Sequence, residues 1–131
     1  MRKILLIFML TLFSHSAYSF DYTSIIETGT DLHDVCSEAN KLLDSDAPTG
    51  NLDGPKVAAC SHYLTGFIAG LVFSDNTQEY CPPQSMNLED VVGLVTTYLD
   101  YATEQGEEAL LQEVPVAGLV HFLLQAKWPC D

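Results

Sequence analysis

Apolar residues along this chain recur three and four positions apart, which is the spacing of one face of an α-helix. One such face extends from about Thr28 to Leu43, a second from Pro55 to about Phe73, and a third follows Asn87. The three faces are formed by Leu32, Val35, Cys36, Ala39, Leu42 and Leu43; by Val57, Cys60, Leu64, Phe67, Ile68 and Leu71; and by Leu88, Val91, Val92, Val95, Tyr98 and Leu99.

Residues with known capping preferences mark the ends of these helices. Thr30 or Asp31 would cap the first helix. Asn87 with Asp90 three positions later resembles a capping box for the third. Gly106 is typical of the residue that follows a helix C-terminus.

The last apolar stripe allows two helix boundaries. A helix that begins near Glu107 would be kinked at Pro115; alternatively, the helix begins at Pro115. The stripe consists of Val116, Leu119, Val120, Leu123 and Leu124, and it ends before Trp128. Because the connections are short, the pattern predicts an all-α fold, a compact bundle of four, or four to five, helices.

Residues 1–19 have the layout of a secretory signal peptide. Arg2 and Lys3 are basic, an apolar run follows to Phe13, and small residues precede a predicted cleavage site after Ser19. The alternative is a membrane anchor, but the apolar run is too short for the ~30 Å of a bilayer core. No other segment is predicted to span a membrane.

Cleavage would leave residues 20–131, a length that predicts one helical domain with one core. This part contains all four cysteines, Cys36, Cys60, Cys81 and Cys130. An even number of cysteines in an oxidising compartment predicts two disulfides, and three pairings are open. A zinc site is disfavoured because no CxxC pair is present.

The charge balance is strongly acidic. The net charge is −13, and loss of Arg2 and Lys3 with the leader would make it −15. Only Lys41, Lys56 and Lys127 would remain as cations, which argues against nucleic acid and against anionic membrane surfaces as partners. Two interpretations stay open: the charge only keeps the protein soluble, or it steers a basic protein partner.

Candidate catalytic groups are few. Cys60 and His62 lie two positions apart, so on a helix they point to different sides, and no GxSxG motif occurs. His33 with nearby Asp31, Asp34 and Cys36 imitates a metal cluster, although a solvated helix N-terminus accounts for these residues better. We therefore predict no catalytic residues, no metal site and no cofactor.

The order of several motifs resembles the Rap/Tai family of type VI secretion immunity proteins over nearly the whole predicted mature chain. A helix face ends in a Cys, a second Cys precedes a Gly-Phe-Ile-Ala-Gly stretch, a Cys-Pro step comes before the third helix, and the chain closes on Trp-Pro-Cys. The residues are Leu32 to Cys36, Cys60, Gly66 to Gly70, Cys81-Pro82, Leu88 to Leu99, and Trp128-Pro129-Cys130.

The resemblance implies a non-catalytic protein of the periplasm. Family members bind a peptidoglycan amidase toxin delivered by neighbouring cells, and they block its active-site groove, often as a homodimer. The partner predicted for this chain is therefore a cognate peptidoglycan amidase toxin.

Two disulfide pairs are predicted on this basis. Cys36–Cys60 would join the first two helices as adjacent antiparallel neighbours, and Cys81–Cys130 would tie the chain end to the loop before the third helix. For the toxin contact we predict the polar connector around Glu104, Gln105, Glu107 and Glu108, with the 44–53 loop as second choice.

Two other functions fit the same composition. A periplasmic acid-stress chaperone is also small, helical and acidic, and its carboxylates would lose charge as the pH falls. An inhibitor of another lytic wall enzyme, such as lysozyme, would use the same acidic blocking surface.

Overall fold

The computed structural model describes residues 26–44, 49–73 and 80–130; the predicted leader and its cleavage site lie outside these ranges. Five α-helices occur in the described part, and a short 3₁₀ turn spans Thr49–Asn51. The helices are α1 (Gly29–Leu43), α2 (Gly54–Phe73), α3 (Leu88–Glu104), α4 (Glu108–Glu113) and α5 (Val116–Lys127). The predicted all-α class with four to five helices is confirmed.

The N-terminus of α1 is held by a capping box. The Thr28 hydroxyl accepts the Asp31 N–H at 3.2 Å, and the Asp31 carboxylate accepts the Thr28 N–H at 2.9 Å. The predicted caps, Thr30 and Asp31, were therefore wrong: the helix begins earlier, at Gly29. Gly29 is buried, and a Cβ there would lie 3.1 Å from the Leu111 carbonyl oxygen.

This capping box gives a pH-dependent prediction. The hydrogen bond from the Thr28 hydroxyl, with those from the Thr28 and Glu27 N–H groups, lowers the pKa of Asp31 below its usual value of 3.8, although burial of the carboxyl acts in the opposite direction. A carboxyl whose pKa is lowered by folding stabilises the fold above its unfolded pKa, and this contribution is lost as the pH falls through the folded value.

We expect Thr28→Ala to lower the free energy of unfolding by about 1 kcal/mol at pH 7, and by less at an acidic pH below the lowered pKa of Asp31, where its carboxylate has lost its charge. Urea unfolding followed by circular dichroism at both pH values measures this. Thr30→Ala is the matched control, because Thr30 is exposed inside the first turn, and it should change stability little. Equal losses in the two variants would contradict the assignment of Thr28 as the cap.

The ends of α3 follow the predicted signals. Asn87 Oδ1 accepts the Asp90 N–H at 2.9 Å, and Asp90 Oδ2 accepts the Asn87 N–H at 3.0 Å. Gly106 follows the helix with φ of 77°, a left-handed conformation that glycine adopts without steric cost. The capping box and the stop signal are both confirmed.

The last apolar stripe lies entirely in α5, and a separate short helix, α4, precedes it. Pro115 is the N-cap of α5 and separates this helix from the short helix α4. The Val116 N–H donates to the Glu27 carbonyl oxygen at 2.9 Å, and Thr28 forms an isolated β-bridge with Pro115. The start of α5 is therefore held beside the start of α1.

The core lies between α1, α3 and α5, with one turn of α2 and one residue of α4. Thr96, the buried polar side chain here, donates its hydroxyl to the Val92 carbonyl oxygen at 2.9 Å. The buried apolar residues are Leu32, Val35, Cys36, Ala39, Cys60, Leu64, Tyr80, Val91, Val92, Val95, Leu99, Ala102, Leu111, Val116, Leu119, Val120, Leu123 and Leu124.

Two disulfides join these elements, and they are the pairs that the sequence predicts. Cys36 in α1 is bonded to Cys60 in α2, with both side chains fully buried. Cys81 is bonded to Cys130, and the Cys81 N–H also donates to the Trp128 carbonyl oxygen at 2.8 Å. The Cα atoms are 5.0 Å apart in each pair.

Candidate functional site

The structure brings the four predicted toxin-contact residues together at one turn. Glu104 is the last residue of α3, Gln105 is its C-cap, Glu107 precedes α4, and Glu108 begins it. All four are exposed. This cluster, which we call the acidic turn, is short, because only three residues separate the end of α3 from the start of α4.

Backbone hydrogen bonds make the acidic turn rigid. The Glu107 N–H donates to the Ala102 carbonyl oxygen at 2.9 Å, and the Gly106 N–H donates to the Thr103 carbonyl oxygen at 3.0 Å. These two hydrogen bonds, together with the left-handed conformation of Gly106, form a Schellman motif. The carboxylates of the acidic turn are therefore presented from an ordered backbone.

Lysines neutralise carboxylates on another part of the protein. Lys56 Nζ lies 2.6 Å from Asp34 Oδ1, which raises the pKa of Lys56, and Lys41 pairs with Glu38, which lowers the pKa of Glu38. These pairs involve α1 and α2 only. Within residues 26–44, 49–73 and 80–130, no ion pair involves a carboxylate of the acidic turn. These carboxylates are therefore suited to binding basic groups of a partner.

The end of the 44–53 loop, the second choice for the toxin contact, makes hydrogen bonds with α1 and α2. The Asp53 carboxylate accepts the Lys56 N–H at 3.3 Å near the start of α2, and the Asp53 N–H donates to Glu38 at 3.4 Å. Residues 45–48 of this loop lie outside the described ranges. The acidic turn is therefore the better-defined candidate.

The residues that imitate a metal cluster in the sequence each have a different partner in the structure. His33 Nε2 lies 2.7 Å from Asp100 Oδ1 and joins α1 to α3, a contact that helical spacing does not reveal. Asp31 belongs to the capping box, Asp34 pairs with Lys56, and Cys36 is in a disulfide. Within the described ranges, no group of three or more potential metal ligands occurs.

One side of α2 is an uncovered apolar surface, which the spacing of apolar residues does not reveal. Among the 18 most apolar consecutive residues of this helix, only 11% are buried. From Ala58 onward, the exposed residues of α2 follow helical spacing on one side, here called the outer face of α2. They are Ala58, His62, Thr65, Gly66, Ala69, Gly70, Val72 and Phe73.

By length and composition alone α2 could cross a membrane, which corrects the prediction that no segment beyond the leader has this property. Its attachment argues for a different use. The buried Cys36–Cys60 disulfide and the Lys56–Asp34 ion pair join α2 to the charged helix α1. Lifting α2 into lipid would take those charges with it, which is unfavourable.

Taken together, these features describe a disulfide-braced helical protein whose exposed surfaces are suited to contact with another protein. It presents a rigid acidic turn and an uncovered apolar helix, and each cysteine of the described ranges is in a disulfide. The chain belongs to the Rap1a immunity protein family, whose model matches residues 28–130. Comparisons with curated proteins and with solved structures give no match.

Membership of this family agrees with the resemblance to Rap/Tai proteins. It makes the chain an immunity protein, and the partner of an immunity protein is its cognate effector toxin. Proteins of this family are generally not catalysts.

Proposed function

We propose that this chain is a periplasmic immunity protein that inhibits a type VI secretion effector, a peptidoglycan amidase, by blocking its active-site groove. The match of residues 28–130 to the immunity family is the observation that carries the proposal. The predicted signal peptide, with cleavage after Ser19, supports a periplasmic location for residues 20–131. Peptidoglycan amidases act in that compartment.

We propose the acidic turn as the part that contacts the effector. A chain of net charge −13 attracts a basic partner over several ångströms and speeds the encounter. The Schellman motif holds the acidic turn in one conformation, so little backbone entropy is lost on binding. Glu104, Glu107 and Glu108 would then meet Lys or Arg side chains that border the amidase groove.

The change that tests this proposal is replacement of Glu104, Gln105, Glu107 and Glu108 together by alanine. We expect the affinity for the amidase effector to fall at least about 30-fold, which corresponds to ~2 kcal/mol. The loss should be smaller at high salt, because screening weakens the wild-type attraction. Biolayer interferometry with the purified effector measures the affinity at low and at high salt. An assay of peptidoglycan cleavage measures the matching loss of inhibition.

A control must remove the same charge elsewhere. Glu27, Glu89 and Glu113 are exposed, and their combined replacement by alanine should leave the affinity within about threefold of wild type. Equal affinity of the acidic-turn variant and wild type would reject the acidic turn as the contact. Inhibition of lysozyme without inhibition of any amidase would favour the alternative, an inhibitor of another lytic wall enzyme.

The proposal includes a homodimer formed through the outer face of α2. Exposed apolar surface on a soluble protein marks an interaction site, and on this face Phe73 is 89% exposed and Val72 is 56% exposed. No Asp or Glu occurs between Gly54 and Phe73, although the chain contains 18 acidic residues. Two identical, strongly acidic chains can therefore meet at this face without burying carboxylates of like charge.

Glycines allow close approach at the centre of this face. A Cβ at Gly66 or Gly70 would have no atom within 4 Å, so neither glycine is required by packing inside one chain. Missing side chains at both positions would let the backbones of two α2 helices approach each other. A symmetric contact of this kind uses the same patch on both subunits.

A further inference from the structure

A groove of about 870 Å³ runs along α3 on the side that faces the end of α5. Its lining combines apolar and aromatic side chains, among them Leu94, Tyr98, Tyr101, Leu123 and Trp128. We call it the aromatic groove. Tyr101 is 57% exposed, so an aromatic surface is available to a partner without any rearrangement of the core.

The aromatic groove and the acidic turn lie on one face of α3. The α3 residues that line the groove are Asp90, Gly93, Leu94, Thr97, Tyr98 and Tyr101. These positions are three and four apart, and the next positions in the series are Glu104 and Gln105. A partner segment that contacts the acidic turn can therefore continue along the groove over about 20 Å of helix.

The two walls of the groove are braced against each other. Pro83 and Ser85 belong to the segment before α3, and Lys127 and Trp128 come from the end of α5. The Cys81–Cys130 disulfide and the hydrogen bond from the Cys81 N–H to the Trp128 carbonyl oxygen connect these two segments. A groove that is formed before binding loses little entropy when it is filled.

We infer that the aromatic groove binds a segment of the effector chain in which an apolar or aromatic side chain is flanked by basic residues. The apolar lining receives the central side chain, and the stripe on α3 carries carboxylates at both ends, Asp90 and Glu104. Lys127 can donate to a backbone carbonyl of the same segment. This inference rests on the proposed function, because it names the part of the effector that is recognised.

Two glycines provide the sharpest test. Gly93 lines the groove and Gly118 does not, and a Cβ at either position meets no atom within 4 Å. Gly93→Leu therefore adds a side chain to the groove at a position with free space around the Cβ, and Gly118→Leu is the matched control on α5. Both changes replace a helical glycine and should raise the melting temperature.

Two aromatic residues provide a second pair. Tyr101 lines the groove, whereas Phe122, which is 56% exposed on α5, lies outside its lining. The probe is the purified amidase effector whose periplasmic toxicity the wild-type protein neutralises. We expect Gly93→Leu and Tyr101→Ala each to weaken its binding at least about tenfold. Gly118→Leu and Phe122→Ala should stay within about twofold of wild type.

Amide hydrogen exchange adds a readout of position, since the effector should protect the amides of residues 90–101. The groove inference is overturned if Gly93→Leu and Tyr101→Ala bind the effector with wild-type affinity while the acidic-turn variant binds it more weakly. That result would leave the proposed function intact. If the wild-type protein neutralises no amidase effector, the proposed function and the groove inference both fail.

Discussion

Replacement of Ala69 by Glu is expected to dissociate the proposed homodimer into monomers. Ala69 lies near the middle of the outer face of α2, between Gly66 and Gly70, and it is exposed in the single chain. The new carboxylate costs the monomer little. In a symmetric dimer it would be buried twice, beside its own copy, without a cationic partner.

The expected effect is large because each buried, unpaired charge costs several kcal/mol. The dimer dissociation constant should rise at least about 1000-fold, which corresponds to ~4 kcal/mol. Sedimentation equilibrium of the oxidised protein over a range of concentrations measures the constant directly. Circular dichroism should show unchanged helix content, since α2 keeps its contacts with α1.

Ala117→Glu is the matched control, because Ala117 is also exposed and helical but lies on α5. It should leave the dimer unchanged. A wild-type protein that remains monomeric at millimolar concentration would reject the homodimer, whatever the variants do. Equal weakening by the two variants would show that added negative charge acts through overall repulsion, and it would reject the outer face of α2 as the interface.

Loss of the Cys36–Cys60 disulfide is expected to destabilise the chain strongly and to release α2 from α1. The bond links residues 24 positions apart, and closing a loop of that length restricts the unfolded chain by about 3–4 kcal/mol. The packing of α2 adds to this, because Cys60 and Leu64 are its fully buried side chains. The disulfide therefore holds α2 against α1 where few other buried contacts do.

The double variant Cys36→Ala/Cys60→Ala should lose about 3–5 kcal/mol of the free energy of unfolding. Equilibrium unfolding in urea measures the loss. Hydrogen exchange should show the amides of α2 opening before those of α3. Cys81→Ala/Cys130→Ala is the comparison: its 49-residue separation predicts a loss of about 4 kcal/mol, but α2 should stay protected. Early opening of α2 in both variants would contradict this division.

The two disulfides also separate two roles in the proposed function. Cys36–Cys60 secures the helix that would carry the dimer contact, and Cys81–Cys130 secures the wall of the aromatic groove. Such covalent bracing stabilises a protein in an oxidising compartment such as the periplasm, because each bond restricts the unfolded chain.

The sequence by itself determined the local structure of this protein. Helical spacing located the apolar faces, Asn87 and Asp90 marked the start of α3, and Gly106 marked its end, because each signal acts through hydrogen bonds within a few residues of itself. Even the four residues of the acidic turn could be named, since they lie at the junction that Gly106 defines.

Only the tertiary structure decided which apolar faces are covered. The pattern of α2 is that of a buried helix, yet one side of it lies in solvent, because periodicity shows which residues share a face and not which element packs on it. The same reason explains why the burial of Tyr80, the crowding at Gly29, the His33–Asp100 contact and the continuity of the aromatic groove with the acidic turn were not predicted. Each depends on residues far apart in the chain that meet only after folding.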